Sequence, residues 1–287
     1  MKILEVSHVT HTYGAGTPFK TEALHDVSVG FERGLVTGLI GHTGSGKSTL
    51  VQMLNGLIKP DAGEILLDGV NIWDKPKEIR SVRFRVGLVM QYPEYQLFDE
   101  TVERDIGFAP RNQGLEDNAV RERVEEAADF VGLTREMLSK SPFDLSGGQK
   151  RRAAIAGILA MHPDVLVLDE PAAGLDPRGR RGILGGLARF RDKTGTTVIL
   201  VSHSMEDMAT YCDNVVVMNH GELYAQGTTD EVFGRADDLA AVGLDIPQIS
   251  HVAAGLIAKG VPLSGKLYTV AGVRDALLPL LRGEVKP

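Results

Sequence analysis

A chain of 287 residues with 43% hydrophobic content is long enough to bury a sizeable core in one large or two modest domains. Its 31 Lys and Arg against 38 Asp and Glu leave a net charge of -7, which argues against a sequence-independent grip on nucleic-acid phosphates, because that grip rests on excess basic side chains. Cys212 is the only cysteine, so neither an internal disulfide nor a cysteine metal cluster is available, and its expected place is a buried packing position.

The opening MKILEVSHVTHTYG alternates apolar and polar residues and lacks the charged head and apolar centre of a signal peptide. Residues 3–8 and 27–31 read as strands around a loop rich in Gly, Thr and Pro, which suggests a β-rich first layer. Short apolar runs at 36–40, 86–90, 165–168, 198–201 and 215–218 suit buried parallel strands, and several precede helix-like segments, so an α/β core is expected. Between the second and third runs, residues 117–131 place Val120, Val124, Ala127, Ala128 and Val131 on one helical face, a helical insertion in the sheet. From about Thr228 short helical pieces, 247–259 and 273–281 among them, predict a small C-terminal appendage. No apolar run approaches the roughly 20 residues of a membrane-spanning helix, so the chain is expected in the cytoplasm.

After the strand at 36–40 stands GHTGSGKST: Gly41, His42, Thr43, Gly44, Ser45, Gly46, Lys47, Ser48 and Thr49. The pattern G-x-x-x-x-G-K-[ST] between a strand and a helix makes a phosphate cradle, because the glycines let backbone N–H groups point inward and the helix adds its positive end. Lys47 supplies a mobile charge for the β- and γ-phosphates, Ser48 a hydroxyl for Mg²⁺, and Thr49 a bond to a neighbouring phosphate oxygen. GTPases, small-molecule kinases and many motors share this loop. Further along, VLVLDEP ends an apolar strand in two carboxylates. Asp169 is expected to hold Mg²⁺ through a water, and Glu170 to orient and deprotonate the water that attacks the γ-phosphate. His203 follows the strand at 198–202, in reach of the same phosphate.

LSGGQ at 145–149, followed by KRRAAIAGILAMHPDVLVLDEP, resembles the signature of ATP-binding cassette proteins and separates this chain from the other users of the loop. Ser146 can cap a helix, and Gly147 and Gly148 leave bare N–H groups open to a phosphate. The resemblance implies that Ser146, Gly147, Gly148 and Gln149 meet ATP held by an opposite cassette. It also implies that Gln91 reaches toward Mg²⁺ and the attacking water, that AGLD at 173–176 touches the other subunit's site, that His203 is the switch histidine, and that Tyr13 stacks on adenine. Position 172 is Ala where many relatives carry Thr, a small departure. The implied fold is a P-loop cassette with a RecA-like parallel core, an antiparallel β subdomain and a helical subdomain at about 92–162. The expected division is 1–227 for the nucleotide-binding domain and 228–287 for a C-terminal dimer-contact domain.

Three stretches resemble the energy-coupling factor transporter ATPases more narrowly: QYPEYQLFDETVERDIGFAPRN at 91–112, RRAAIAGILAMHP at 151–163 and LDIPQISHVAAGL at 244–256. The YPEYQLF form is most similar to the second of the two ATPase types that pair in such complexes. This resemblance implies a second ATPase subunit, a transmembrane coupling subunit, membrane substrate-binding subunits and a place on the cytoplasmic face of the membrane, with vitamins or other micronutrients as cargo. A soluble cassette ATPase of DNA repair or translation is the alternative.

Overall fold

The computed structural model describes residues 1–282, so the last five positions of the expected C-terminal domain lie outside it. Strands β1 (Lys2–Tyr13) and β2 (Thr21–Glu32) form an antiparallel hairpin longer than the alternation predicts. Val6 and Val9 are both buried although three residues apart, and the register shifts between them, where His8 takes a φ of 50°. A bulge of this kind turns the following side chains to the other face, so a period-two reading loses phase there. β4 (Ala62–Leu67) and β5 (Val70–Asn71), unmarked by any clear alternation, complete a sheet ordered β2-β1-β4-β5.

The second sheet holds β3 (Val36–Ile40), β6 (Val86–Val89), β7 (Val165–Asp169), β8 (Thr197–Val201), β9 (Asn214–Asn219) and β10 (Glu222–Thr228), in the order β10-β9-β3-β8-β7-β6. All its pairings are parallel except that of β10 with β9. The parallel strands are the five apolar runs of the sequence, and they are apolar throughout because both faces are covered. Val165 and Val167 of β7 and Ile199 and Val201 of β8 pack toward the antiparallel sheet and the helix Lys47–Leu54. Leu166, Leu168, Val198 and Leu200 pack on the opposite face, against the helices. β10 has no buried residue, which is why hydrophobic pattern does not reveal it.

Between β6 and β7 the insertion carries the helices Asp117–Val131 and Gly147–Leu159. The former buries Val120, Val124, Ala127, Ala128 and Val131 as its spacing predicts, and stops at Gly132, whose φ of 72° an L side chain adopts only with strain. Phe130 meets Phe190 of the helix Pro177–Thr194 edge to face at 5.2 Å, joining insertion to core. Truncating either ring would cost about 3–5 kcal/mol. Beyond Thr228, which caps the helix Thr229–Phe233 through a capping box with Glu231, Val232, Phe233, Leu239 and Tyr268 join the main core. The helices Gln248–Ala258 and Val270–Leu281 bury only Ala253 and Val273 fully, and leave Val252, Ile257, Val270 and Leu281 exposed.

Candidate active site

The C-terminal ends of β3, β8, β7 and β6, side by side in the sheet, deliver the expected residues to one edge, the usual ligand edge of a parallel sheet. β3 runs directly into the loop from Gly41 to Thr49. Gly46 has a φ of 97°, and a β-carbon there would stand 2.6 Å from the Ala23 carbonyl, so the loop closes tightly against β2 only with glycine at this point. No side chain caps the helix Lys47–Leu54, which leaves its first-turn N–H groups to an outside acceptor.

Lys47 is only 7% exposed. Its ammonium donates to the Gly41 carbonyl at 2.7 Å, the His42 carbonyl at 2.9 Å and the Ser45 hydroxyl at 3.3 Å, so the loop wraps its own cation. Burial lowers the Lys47 pKa, while Asp169 and Glu170 act in the other direction. His42 Nε2 lies 3.0 Å from Asn219 Oδ1, and the Gly221 amide donates to the Ser45 carbonyl at 3.1 Å, bracing the loop against the β9–β10 turn. Thr43 and Gly44 are exposed at the rim, and Ser45 is fully buried.

The Ser48 hydroxyl stands 3.5 Å from Asp169 Oδ2. Burial raises the Asp169 pKa against the pull of Lys47 and the Ser48 hydrogen bond. Glu170 sits one residue beyond the ladder with a φ of 52°, and its amide donates to the Val201 carbonyl at 3.0 Å. Its Oε1 is buried without a hydrogen-bond partner; His203 Nε2 lies 3.8 Å away, in ion-pair range and too far for a hydrogen bond. Burial foremost raises the Glu170 pKa, with Asp169 adding to the rise and His203 opposing it. A carboxylate moved up in this way is a stronger base. Ser48, Thr49, Tyr13, Lys47, Asp169, Glu170 and His203 thus form one neighbourhood: the Tyr13 hydroxyl lies 3.4 Å from Thr49 Oγ1, the residue is 42% exposed, and His11 meets its ring edge-on at 4.7 Å.

A hydroxyl and a carboxylate at this spacing are hard oxygen donors of the kind Mg²⁺ takes, with phosphate and water left to complete its shell. Among the described residues no group of three or more His, Cys, Asp or Glu is placed to hold a metal by itself. Ser48 and Asp169 fit Mg²⁺ by the chemistry of their oxygen donors.

The signature stands apart. Ser146 accepts from the Gln149 amide at 3.4 Å, and the Gln149 side chain accepts from the Ser146 amide at 2.9 Å, a capping box whose bonds close on themselves. A β-carbon on Gly147 would meet nothing within 4 Å, and one on Gly148 would touch only Leu175. Gln91 is exposed beyond β6, next to Tyr92, whose φ is 56°. Asp176, closing the AGLD loop, caps the helix Pro177–Thr194 by accepting from the Gly179 amide at 2.6 Å.

Sequence reasoning missed one buried group. Arg151, on the helix after Ser146, is 4% exposed and binds Glu94 with two nitrogens and the Ala173 carbonyl with the third. It stands between Lys150 and Arg152, and only packing distinguishes it from them.

Residues 24–173 match the ABC transporter family model. The chain is 50% identical over 280 residues to the energy-coupling factor transporter ATP-binding protein EcfA2 of Caldanaerobacter subterraneus subsp. tengcongensis, covering 98% of each. It is 48% identical to the protein of that name from Clostridium perfringens, covering 97% of this chain and 98% of the other. Among solved structures it is similar to cbiO1 from Clostridium perfringens, described as part of the ABC transporter complex cbiONQ, at 39% identity and a TM-score of 0.75 over 88% of this chain and 99% of that one. A dimeric ATP-binding cassette in a post-hydrolysis state, bound to ADP and Pi, aligns at 26% identity with a TM-score of 0.71, over 79% and 98%.

Proposed function

Since the chain belongs to the ABC transporter family, as an ATP-binding, ATP-hydrolysing subunit of the energy-coupling factor group, we propose that its catalytic base is Glu170 and that hydrolysis takes place where its phosphate loop meets the signature of a second cassette. The observation that carries this reading is the buried Oε1 of Glu170, without a hydrogen-bond partner, beside Lys47 and Asp169. A base needs an acceptor atom facing the reacting water, and a carboxylate with all its lone pairs engaged could not serve.

In this reading Tyr13 stacks on adenine, the amides from Gly41 to Thr49 cradle the phosphates, and Lys47 turns from its loop carbonyls to the β- and γ-phosphates. Ser48 and Asp169, with Gln91, would hold Mg²⁺, which when bound would neutralise charge on the phosphates. Glu170 takes a proton from water as the water oxygen bonds to the γ-phosphorus and the bond to the ADP oxygen breaks. His203 keeps Glu170 and the γ-phosphate in register. Ser146, Gly147, Gly148 and Gln149 close over the partner's ATP, for which the open space at the two glycines leaves room.

The proposed partners are a second, different ATPase subunit, a transmembrane coupling subunit and membrane substrate-binding subunits, with residues 228–287 as the dimer-contact appendage of the 1–227 cassette. No helix among the described residues is long and apolar enough to cross a membrane. Tyr95 and Phe98, 85% and 58% exposed beyond Gln91, support an aromatic face for helices of the coupling subunit, and the proposed location is peripheral, on the cytoplasmic side of the membrane. Its cargo is then a vitamin or other micronutrient. The soluble repair or translation alternative is not retained, since the relatives named above are transporter components.

The deciding experiment pairs ATPase turnover with nucleotide retention in Glu170→Gln. Lost turnover with ATP retained supports the assignment, and near-normal turnover sinks it. Tagged chain extracted from native membranes should bring down a second cassette and a membrane protein; recovery of ribosomes or repair factors instead would overturn the partner assignment alone.

A further inference from the structure

Arg151 lies where three segments with different duties meet. It belongs to the helix Gly147–Leu159, whose start carries the signature glycines. Its Nε and Nη2 donate to Glu94 Oε2 at 3.0 Å and Oε1 at 2.7 Å, its Nη1 donates to the Ala173 carbonyl, and its guanidinium lies 5.7 Å from the centroid of the Tyr92 ring. Glu94 stands three residues after Gln91, in the turn Pro93–Gln96 that presents the exposed Tyr95, with Phe98 just beyond it. Ala173 stands three residues after Glu170, and its own amide donates back to the Glu170 carbonyl at 3.2 Å. One side chain therefore ties the signature helix to the chain around both Gln91 and Glu170.

The chemistry of the contact goes beyond adhesion. Side-chain exposure is 5% for Arg151 and 17% for Glu94, so both ions have left water, and a pair of apolar residues would hold the helix to the turn with less desolvation. A planar fork adds direction: two parallel bonds fix the turn, and the third nitrogen fixes the loop after the base. Burial, the largest single influence, would raise the Glu94 carboxyl, and the Arg151 hydrogen bonds, a backbone hydrogen bond and the Arg151 charge together outweigh it, holding Glu94 below the ordinary glutamate range and ionised. The backbone at the two ends of the tie is unusual as well, with Tyr92 and Glu170 both at left-handed φ, 56° and 52°. Such conformations persist only where surroundings over-determine them.

We propose that Arg151 is a positioning residue for hydrolysis: through Glu94 and Ala173 it makes the membrane-facing turn, the signature helix and the loop carrying Glu170 move as one body. When the signature of this chain docks on the partner's ATP, or the coupling subunit presses on Tyr95 and Phe98, the displacement reaches Glu170 and Gln91 through this fork. The inference rests on the catalytic reading of Glu170 above.

The test uses the full-length chain with its co-purifying membrane partners and measures kcat, KM for ATP and Tm in Arg151→Met, Arg151→Lys, Glu94→Gln and the double variant Glu94→Gln/Arg151→Met, with Glu170→Gln alongside. Misplacing the base predicts a fall in kcat of about 10–100-fold in Arg151→Met with KM within about twofold. Arg151→Lys should recover little of it, because an ammonium cannot hold the two parallel bonds and the third together, and the double variant should be no slower than Arg151→Met alone. If Arg151→Met folds poorly, Glu94→Gln, which keeps shape and removes charge, carries the same expectation. A lowered Tm with unchanged kcat in Glu94→Gln and Arg151→Lys marks a merely stabilising ion pair and overturns the proposal. An inactive Glu170→Gln beside a fully active Arg151→Met overturns this inference alone, whereas an active Glu170→Gln overturns the site reading and the inference with it.

Discussion

The phosphate loop and the signature are both glycine-rich starts of helices, yet the structure treats them oppositely. The loop is closed on itself: Lys47 is wrapped by its own carbonyls, Gly46 is pressed against β2, and Ser45 is fully buried. The signature is open: its capping box satisfies Ser146 and Gln149, and Gly147 faces nothing within 4 Å. One helix start is folded in on itself and the other faces open space. A chain that carries both, on the reading proposed here, contributes to two sites and completes neither alone.

The sharpest test of the closed region is Glu170→Gln, expected to lower turnover by roughly 10²–10⁴-fold while ATP stays bound, as read by single-turnover hydrolysis beside equilibrium nucleotide binding. Lys47→Ala comes next. Losing a charge-assisted bond to phosphate weakens ATP binding by about 10–100-fold, and unchanged affinity in a titration would contradict the role given to Lys47.

A pair of glycine substitutions sets the two regions directly against each other. Gly46→Ala forces a side chain into a left-handed backbone and against the Ala23 carbonyl, and is expected to destabilise the fold by about 1–3 kcal/mol. Gly147→Ala enters open space at a helical position and should leave stability unchanged or raise it by about 0.4–1 kcal/mol, while on the proposed role of the signature turnover falls, a methyl group standing where the partner's phosphate would approach. Denaturant titration and ATPase assay of both would break the comparison if Gly147→Ala unfolds or remains fully active.

The smallest effect concerns pH. Glu170 and Asp169 have pKa values raised by burial, so over the window from the ordinary carboxyl value up to the raised one the folded state holds more protons than the unfolded state. Stability therefore falls as pH climbs through that window. Glu170→Gln removes its share of this penalty, and nucleotide-free protein should melt higher, by roughly 2–4 °C per kcal/mol relieved, with a flatter dependence of Tm on pH. An unchanged profile would show that the burial of Glu170 carries no cost.

Much of this was legible along the chain. The five apolar runs became the parallel strands because strands covered on both faces leave an unbroken hydrophobic signal, and the loop, the acidic pair and the signature are contiguous motifs whose residue types follow from phosphate chemistry. The face of 117–131 was likewise written in its spacing. β10 escaped because an edge strand with no fully buried residue, its Leu223 and Ala225 only half-buried, leaves a faint hydrophobic signal, and β1 was cut short because a bulge at His8 shifts its phase. Arg151 escaped for a different reason. Nothing local distinguishes it from Lys150 and Arg152, and its burial against Glu94, 57 residues earlier, and Ala173, 22 residues later, exists only once three distant segments are packed together. The same holds for Oε1 of Glu170: sequence determined which acid stands there, and tertiary structure alone decided that it is desolvated and without a hydrogen-bond partner, because both depend on what the neighbouring strands bring beside it.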